Sequence, residues 1–445
     1  MAHVHLVNAA WGELFSGKVR RYNRAFPPLD LLSAAGVLRE RGHQVTLADA
    51  RARPDRPVTA PGADLVAVTL SPLDRWQCPN TDLDQAARFL APFPRDRTVV
   101  LGAQVTMRPE AVLRHVGQEA AILGEPEDAL AALASGARAG EVPGTVRLGD
   151  TLHRAPPAEA VDVTRLPVPA FDLVDPRDYR YEVLGERLGL FELTRGCPWR
   201  CKYCLLTMYG RKYRKKSVPQ MMGEIAAATA SGVRVAYFQD LEFTADRPRV
   251  VALCEALIAD RSTLVWACQT RPDTVDRELL ALMRRAGCAL IQYGVESGVP
   301  RVLELTDKRQ TREQAESAVR WAHEVGLRTL CYFLIGLPTE TRDEIWRTYA
   351  FAETLAPTYA SFQVATPYPT TPFFDELALD GAGDAFPSEY PHTLDGGELR
   401  ALAREFTVRY HLRPAYLWHR LTGPGRQGAL PELALLARYA LRPFA

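Results

Sequence analysis

Thr194-Arg-Gly-Cys197-Pro-Trp-Arg-Cys201-Lys-Tyr-Cys204 carries three cysteines at the spacing C-x3-C-x2-C. An apolar run precedes it, and the strand expected at Phe191–Thr194 leads straight into the first cysteine. Zinc usually takes four protein ligands, and no fourth Cys or His lies nearby in sequence. Three thiolates can instead hold a [4Fe–4S] cluster and leave one iron open for a small molecule. A zinc knuckle and three cysteines merely buried in a turn are the other readings. Arg200 and Lys202 make the segment a poor apolar core.

Working outward, strand and helix alternate from Leu188 onward. Strands are expected at Val233–Phe238, Leu264–Cys268, Ala289–Val295, Arg328–Leu334 and Tyr359–Ala365, with helices at Gln220–Ala230, Arg247–Ala259 and Arg277–Ala286. Six such units over residues 187–375 are too few for an eight-unit barrel and suit an open, partial (β/α)6 barrel. Residues 1–145 alternate in the same way, with continuous apolar runs such as Asp64–Leu70, and predict a doubly wound α/β sheet. Residues 146–186, rich in Pro and Asp, read as a linker wrapped on the surface. Residues 376–445 read as a helical C-terminal region containing Tyr410, Tyr416 and Trp418.

The cysteine spacing, with Tyr203 before the last Cys, resembles the radical S-adenosylmethionine (SAM) superfamily over about residues 186–375. The resemblance implies a [4Fe–4S] cluster on Cys197, Cys201 and Cys204, with SAM on the open iron and one-electron cleavage to a 5′-deoxyadenosyl radical. It also places SAM contacts at strand ends. Asp240 and Glu242 end the second strand, near the amino group of SAM. Arg271 ends the third and is a partner for its carboxylate. Glu296 and Ser297 end the fourth, near carboxylate or ribose. Gly336 ends the fifth, and Pro367 ends the sixth, near the adenine. No residue is singled out as catalytic. The other five cysteines, 78, 254, 268, 288 and 331, read as core packing.

Residues 3–135 are similar to the cobalamin-binding domain that precedes the barrel in one large subfamily. The matching pieces are Pro27-Pro-Leu-Asp-Leu-Leu, Leu38-Arg-Glu-Arg-Gly42-His-Gln-Val, Asp64-Leu-Val, Val99-Val-Leu-Gly102 and Gly124-Glu125. The cobalt-ligating Asp-x-His-x-x-Gly pattern is absent at His43 and His115. Ala103 replaces a second Gly, and the loop Ser71–Pro79 is bulky at Trp76. The expectation is therefore a domain that keeps the fold and works without cobalamin.

Composition narrows the classes further. With 47% hydrophobic and 24% charged residues the chain is not disordered, and its net charge of +1 excludes a broadly basic nucleic-acid binder. The cations are six Lys against 48 Arg, a skew that suits a high-GC genome. No run approaches the roughly 18 apolar residues of a membrane span. His3, His5 and Asn8 break the first apolar run, so no signal peptide is expected, and the eight Cys are expected reduced in a cytoplasm. Arg211–Lys216 puts five cations in six positions after the cluster motif. The functional reading is a docking surface for an acidic donor such as flavodoxin. A solvated face or a nucleic-acid patch are the alternatives. The expected reaction is radical dehydration of an aminoglycoside-type diol such as paromamine, a small-molecule amino sugar. A separate NADPH-dependent reductase would then complete the deoxygenation. The alternative is a cobalamin-dependent radical SAM C-methyltransferase of secondary metabolism.

Overall fold

A computed structural model describes residues 1–9, 25–60, 62–79, 81–379, 389–391, 393–414 and 416–418. The first sheet has strands β1 (His3–Asn8), β2 (Gln44–Asp49), β3 (Leu65–Ser71), β4 (Thr98–Gly102), β5 (Ala120–Ile122), β6 (Thr145–Leu148) and β7 (Leu152–Arg154). Its order is β2-β1-β3-β4-β5-β6-β7. The first five strands run parallel, in register as Val4↔Val45 and Val4↔Leu65, and the last two are antiparallel. Val4, Leu6, Val7, Val66 and Val68 are all fully buried, as strands covered by helices on both faces require. The helix Leu29–Glu40 starts after Pro27-Pro28 and stops before Gly42, whose φ of 81° suits a residue without Cβ.

Two short strands, β8 (Arg180–Tyr181) and β9 (Gly185–Glu186), lead into the second unit. This unit contains β10 (Leu188–Phe191), the ribbon β11 (Thr194–Arg195) and β12 (Arg214–Lys215), then β13 (Val235–Phe238), β14 (Val265–Thr270), β15 (Cys288–Glu296), β16 (Arg328–Ile335) and β17 (Tyr359–Val364). The six-stranded sheet β10-β13-β14-β15-β16-β17 is wholly parallel and matches the expected partial barrel. The first barrel strand ends at Phe191, three residues before the expected end, because Asp240 draws the chain aside at Leu193 and Thr194.

Residues 146–186 are exposed over much of their length, as expected of a surface linker, but are more than a wrap. β6 and β7 extend the first sheet, and Phe171, Tyr179 and Tyr181 are buried. The segment lies close against the Leu29–Glu40 helix, where a Cβ on Gly36 would sit 2.7 Å from the Val168 carbonyl. It binds the other unit through Gln220, which donates to the Val163 and Leu166 carbonyls at 2.9 and 3.1 Å. Apolar area drives this: three large aromatic side chains in a Pro-rich segment have more to gain between two domains than in water. The helices Pro372–Glu376 and Gly396–Leu412 follow, with Phe406 packed on Phe362 and Trp346. The expected helical tail at 419–445 lies outside the described residues. Among the described residues, no helix is long and apolar enough to cross a membrane.

Candidate active site

The β11/β12 ribbon closes a loop from Gly196 to Tyr213 that carries all three motif cysteines. Gly196 has φ of 84°, and a Cβ there would collide with the Lys212 carbonyl. The loop is tied to the barrel mouth at Lys202, whose N–H donates to Thr306 O at 2.9 Å and whose carbonyl accepts from Phe373 N–H at 3.1 Å. Cys197 and Cys201 are buried and Cys204 half-buried. Burial pushes the Cys197 thiol up to about 11, and raises Cys201 and Cys204 as well. Such thiols ionise when a metal replaces the proton. Among the described residues, no group of three or more His, Cys, Asp and Glu is arranged to hold one metal ion. Thiolates on separate irons of a cluster need not converge on one point.

Arg271 lies beside this loop but is already committed. It donates to both Asp273 oxygens at 2.8 Å, to the Lys308 carbonyl and, at 3.7 Å, to Cys201 Sγ. Its guanidinium lies 4.1 Å from the centre of the Trp199 ring. It holds the cysteine loop rather than presenting a free fork to a carboxylate. Asp240 is fully buried and accepts from Leu193 N–H (3.1 Å), Thr194 N–H (2.6 Å) and the Thr194 hydroxyl (2.6 Å). It thus fixes the entry to the ribbon, and burial raises its carboxyl to about 7. Glu242 is ringed by the hydroxyls of Thr270 (2.5 Å), Thr274 (3.0 Å) and Thr244 (3.1 Å), and burial raises its pKa.

Glu296 stands out because its backbone φ is 67°, at a break in the β15/β16 register. A non-glycine residue held in this region is strained, and such strain gathers at functional sites. Lys308 pairs with Glu296 at 2.5 Å and donates to Gly294 O at 2.6 Å. A Cβ on Gly294 would lie 2.5 Å from Glu296 Oε1 and 2.6 Å from Lys308 Nζ, so that glycine makes room for the pair. Lys308 was not expected from sequence. Set between Asp307 and Arg309, it carries no sign of burial in the sequence, yet it is 5% exposed.

Ser297, expected near the ligand, is fully buried and bonds with Thr348 Oγ1 at 3.0 Å, so it serves the wall of the barrel. Gly336 has φ of 77°, and its N–H and that of Leu337 donate to Glu340 at 2.7 and 3.1 Å. Burial raises Glu340 to about 7. Pro367 is buried in the turn after β17, next to Tyr368, which hydrogen-bonds with Cys78 of the first domain. Cys78 is therefore not core packing, whereas Cys254, Cys268, Cys288 and Cys331 are fully buried. Farther down the barrel, Gln292 accepts from Tyr332 (2.6 Å) and Tyr237 (3.4 Å) and donates to Tyr181 (2.9 Å).

The carboxyl edge of the first sheet faces the cysteine loop. Trp76 lies between that edge and the cysteine loop and is buried. Its ring packs edge-on to Tyr209 at 4.8 Å, and its N–H donates to Ser71 O. Arg51 and Asp74 form a buried bidentate pair at 2.8 and 3.0 Å that crosses the end of β1. Around it, Asn8 Oδ1 and Thr69 Oγ1 are buried without a hydrogen-bond partner, and the Asp30 carboxylate has no side-chain partner, only the Asp30 and Leu31 N–H groups of its own helix start. Burial raises Asp30 to about 7. Of the basic run, Arg214, Lys215 and Lys216 pair with Glu125, Asp246 and Glu224. Arg211 and Lys212 are exposed, as is Arg200.

Residues 191–352 match the radical SAM superfamily. A protein of Pyrococcus horikoshii named as an uncharacterized methyltransferase is 29% identical over 361 residues, covering 78% of this chain and 77% of its own length. The anaerobic magnesium-protoporphyrin IX monomethyl ester cyclase of Cereibacter sphaeroides is 29% identical over 269 residues, covering 58% of this chain and 44% of its own. The chain thus spans less than half of that enzyme. Among solved structures, the radical SAM methyltransferase TsrM from Kitasatospora setae, with cobalamin and a [4Fe–4S] cluster bound, superposes with a TM-score of 0.68. It is 21% identical, and the match covers 85% of this chain and 75% of that one, a likeness of fold. The chain carries a radical SAM domain, and the cofactors of that domain are a [4Fe–4S] cluster and SAM.

Proposed function

We propose that this chain, which carries a radical SAM domain, is a cobalamin-using radical SAM methyltransferase acting on a small molecule. The observation that carries the reading is the 361-residue similarity to the Pyrococcus methyltransferase, which is longer than the radical SAM match. The expected diol dehydration has no counterpart among the relatives described above, which are named as a methyltransferase and a cyclase. The reductase partner falls with it.

The cluster ligands in this reading are Cys197, Cys201 and Cys204. Bound there, the cluster and SAM would supply the radical chemistry that takes hydrogen from an unactivated carbon. For the zwitterionic end of SAM the chain offers an existing ion pair: Lys308 would hold its carboxylate and Glu296 its ammonium. Arg271, Asp240 and Glu340 act one step back, holding the cysteine loop, the ribbon entry and the Gly336 turn. Exposed Arg200, Arg211 and Lys212 receive the electron donor, an acidic flavodoxin-like protein.

The first domain fits a corrinoid on its own evidence. What supports this is that buried oxygens of Asp30, Asn8 and Thr69 at the carboxyl end of the first sheet have no side-chain partner, and a ring bearing many amides would satisfy them. Bound there, the corrinoid would supply a methyl carrier. No histidine is needed for this fit. His43, which precedes β2, lies at the opposite edge, and His115 pairs with Asp84. The test is product analysis after anaerobic reconstitution with SAM, cobalamin and a reductant. Methyl transfer requires S-adenosylhomocysteine alongside 5′-deoxyadenosine. 5′-Deoxyadenosine alone, with a dehydrated product, would restore the dehydratase.

A further inference from the structure

We infer that Glu125 is a positioning residue for the cysteine loop: a carboxylate of the N-terminal domain that closes the ribbon from which the three cysteines hang. Arg195 on β11 stands directly opposite Arg214 on β12. Like charges facing each other across two strands repel. Here both are buried, with side chains 2% and 7% exposed. A ribbon of two residue pairs has little of its own to set against that repulsion.

The counter-charge comes from the other domain. Glu125 follows β5, and its Oε1 accepts from Arg195 Nη1 at 2.8 Å and from Arg214 Nη1 at 2.9 Å. Its Oε2 accepts from Arg214 at 2.6 Å. Glu127, at the start of the helix Glu127–Ala134, takes a second Arg195 N–H at 2.7 Å. Burial pushes Glu127 up, but the Arg195 guanidinium holds it below the usual carboxylate range. Glu192 takes a third N–H at 3.2 Å and accepts the Tyr209 hydroxyl. The Tyr209 ring lies 5.1 Å from the Arg195 guanidinium and 5.8 Å from that of Arg214. Both ends of the cysteine loop are thus anchored by arginines whose shared carboxylate belongs to the first domain. Docking of that domain is felt at the cluster through Glu125.

The inference rests on the cysteines holding the cluster, so one arm of its test needs no cluster. In the apoprotein, trypsin nicking at exposed Arg211 and Lys212 reports whether the loop is closed. In the reconstituted protein, iron release to a ferrous chelator reports the same at the cluster. Glu125→Gln leaves buried Arg214 without its charge partner and Arg195 with Glu127 and Glu192 only, and is expected to speed both by about tenfold or more. Glu125→Gln with Arg214→Gln removes the repulsion too, and is expected to return both rates to within about threefold of the parent. Leu38→Ala, in the apolar core of the first domain, lowers the thermal midpoint and leaves both rates unchanged. Parental rates in Glu125→Gln overturn the inference. So does a double variant as fast as the single, or Leu38→Ala matching Glu125→Gln. If Glu125→Gln does not accumulate, Arg214→Gln alone decides. It keeps the Arg195–Glu125 pair, and tenfold faster nicking in it overturns the inference. A nicking effect without an iron effect keeps the ribbon argument and moves the cluster elsewhere.

Discussion

The two sheets turn their carboxyl edges toward the cysteine loop and satisfy their carboxylates to different degrees. At the barrel edge four carboxylates have found partners inside the chain, although Glu340 keeps one oxygen, Oε1, without one. Asp240 takes two N–H groups and a hydroxyl, Glu242 three hydroxyls, Glu296 a lysine and Glu340 two N–H groups. At the edge of the first sheet Asn8 and Thr69 keep buried oxygens with none, and the Asp30 carboxylate meets only N–H groups of its own helix start. A buried polar group without a partner costs about 1–3 kcal/mol. The barrel edge is therefore preorganised, with its geometry fixed before any ligand arrives. The first sheet carries a standing cost that a ligand would relieve.

The barrel side of this comparison breaks most completely at the cysteines. Replacing Cys197, Cys201 and Cys204 together with Ala is expected to abolish cluster binding, read as loss of iron and of the broad visible absorbance after reconstitution. Iron retained at the parental level would remove these three as ligands. The next largest effect lies at the strained pair. Lys308→Met leaves Glu296 buried with only the Tyr203 hydroxyl and no counter-charge, and is expected to cost about 3 kcal/mol of stability, read by denaturant unfolding of the apoprotein. Adding Glu296→Gln to it should recover more than half of that loss, because no buried charge remains. A double variant as unstable as the single would show that the pair is not what Lys308 holds.

The first sheet has its own test, and it runs the other way. Asp30 ionises at about 7 when folded, against an ordinary value of 3.8. Between those values the folded state binds a proton that the unfolded state has lost. Stability from this group is full below about pH 4, falls as pH rises to about 7, and is flat above. Asp30→Asn cannot ionise, so its stability relative to the parent should be about 3–5 kcal/mol greater at pH 8 than at pH 4. Equal differences at the two pH values would mean that Asp30 is not a buried, unrelieved carboxyl. The smallest effect belongs to Arg39 and Asp172, which pair at 2.7 Å with side chains 39% and 64% exposed. Asp172→Asn is expected to change stability by less than about 0.5 kcal/mol, since solvent screens such a pair. A larger loss would mean that the Pro-rich strap is held by charge rather than by Phe171 and Tyr179.

What the sequence made legible follows the same division. The cysteine loop is a local pattern, and the six barrel strands show as apolar runs, so both could be read directly. The doubly wound sheet was legible for the same reason. The partners were not. Glu125 and Arg195 are 70 positions apart, and Lys308 reaches Glu296 only because the chain breaks register after Gly294. Arg271 was placed correctly at a strand end. Its direction was not readable, because Asp273, two residues on, forms the same bidentate pair that an external carboxylate would. The linker was read only in part because Pro and Asp signal loops, whereas burial of Phe171, Tyr179 and Tyr181 is decided by what packs against them.

The comparison of the two edges comes down to whether the first sheet binds a corrinoid. The direct measurement is the corrinoid content of the anaerobically purified full chain after incubation with excess cobalamin and removal of free ligand, read from its visible spectrum. The account predicts about one corrinoid per chain, and a clear loss of retention in Asp30→Asn despite its greater stability at pH 8. A parent that retains no corrinoid, yet cleaves SAM to 5′-deoxyadenosine and turns over substrate, would contradict it.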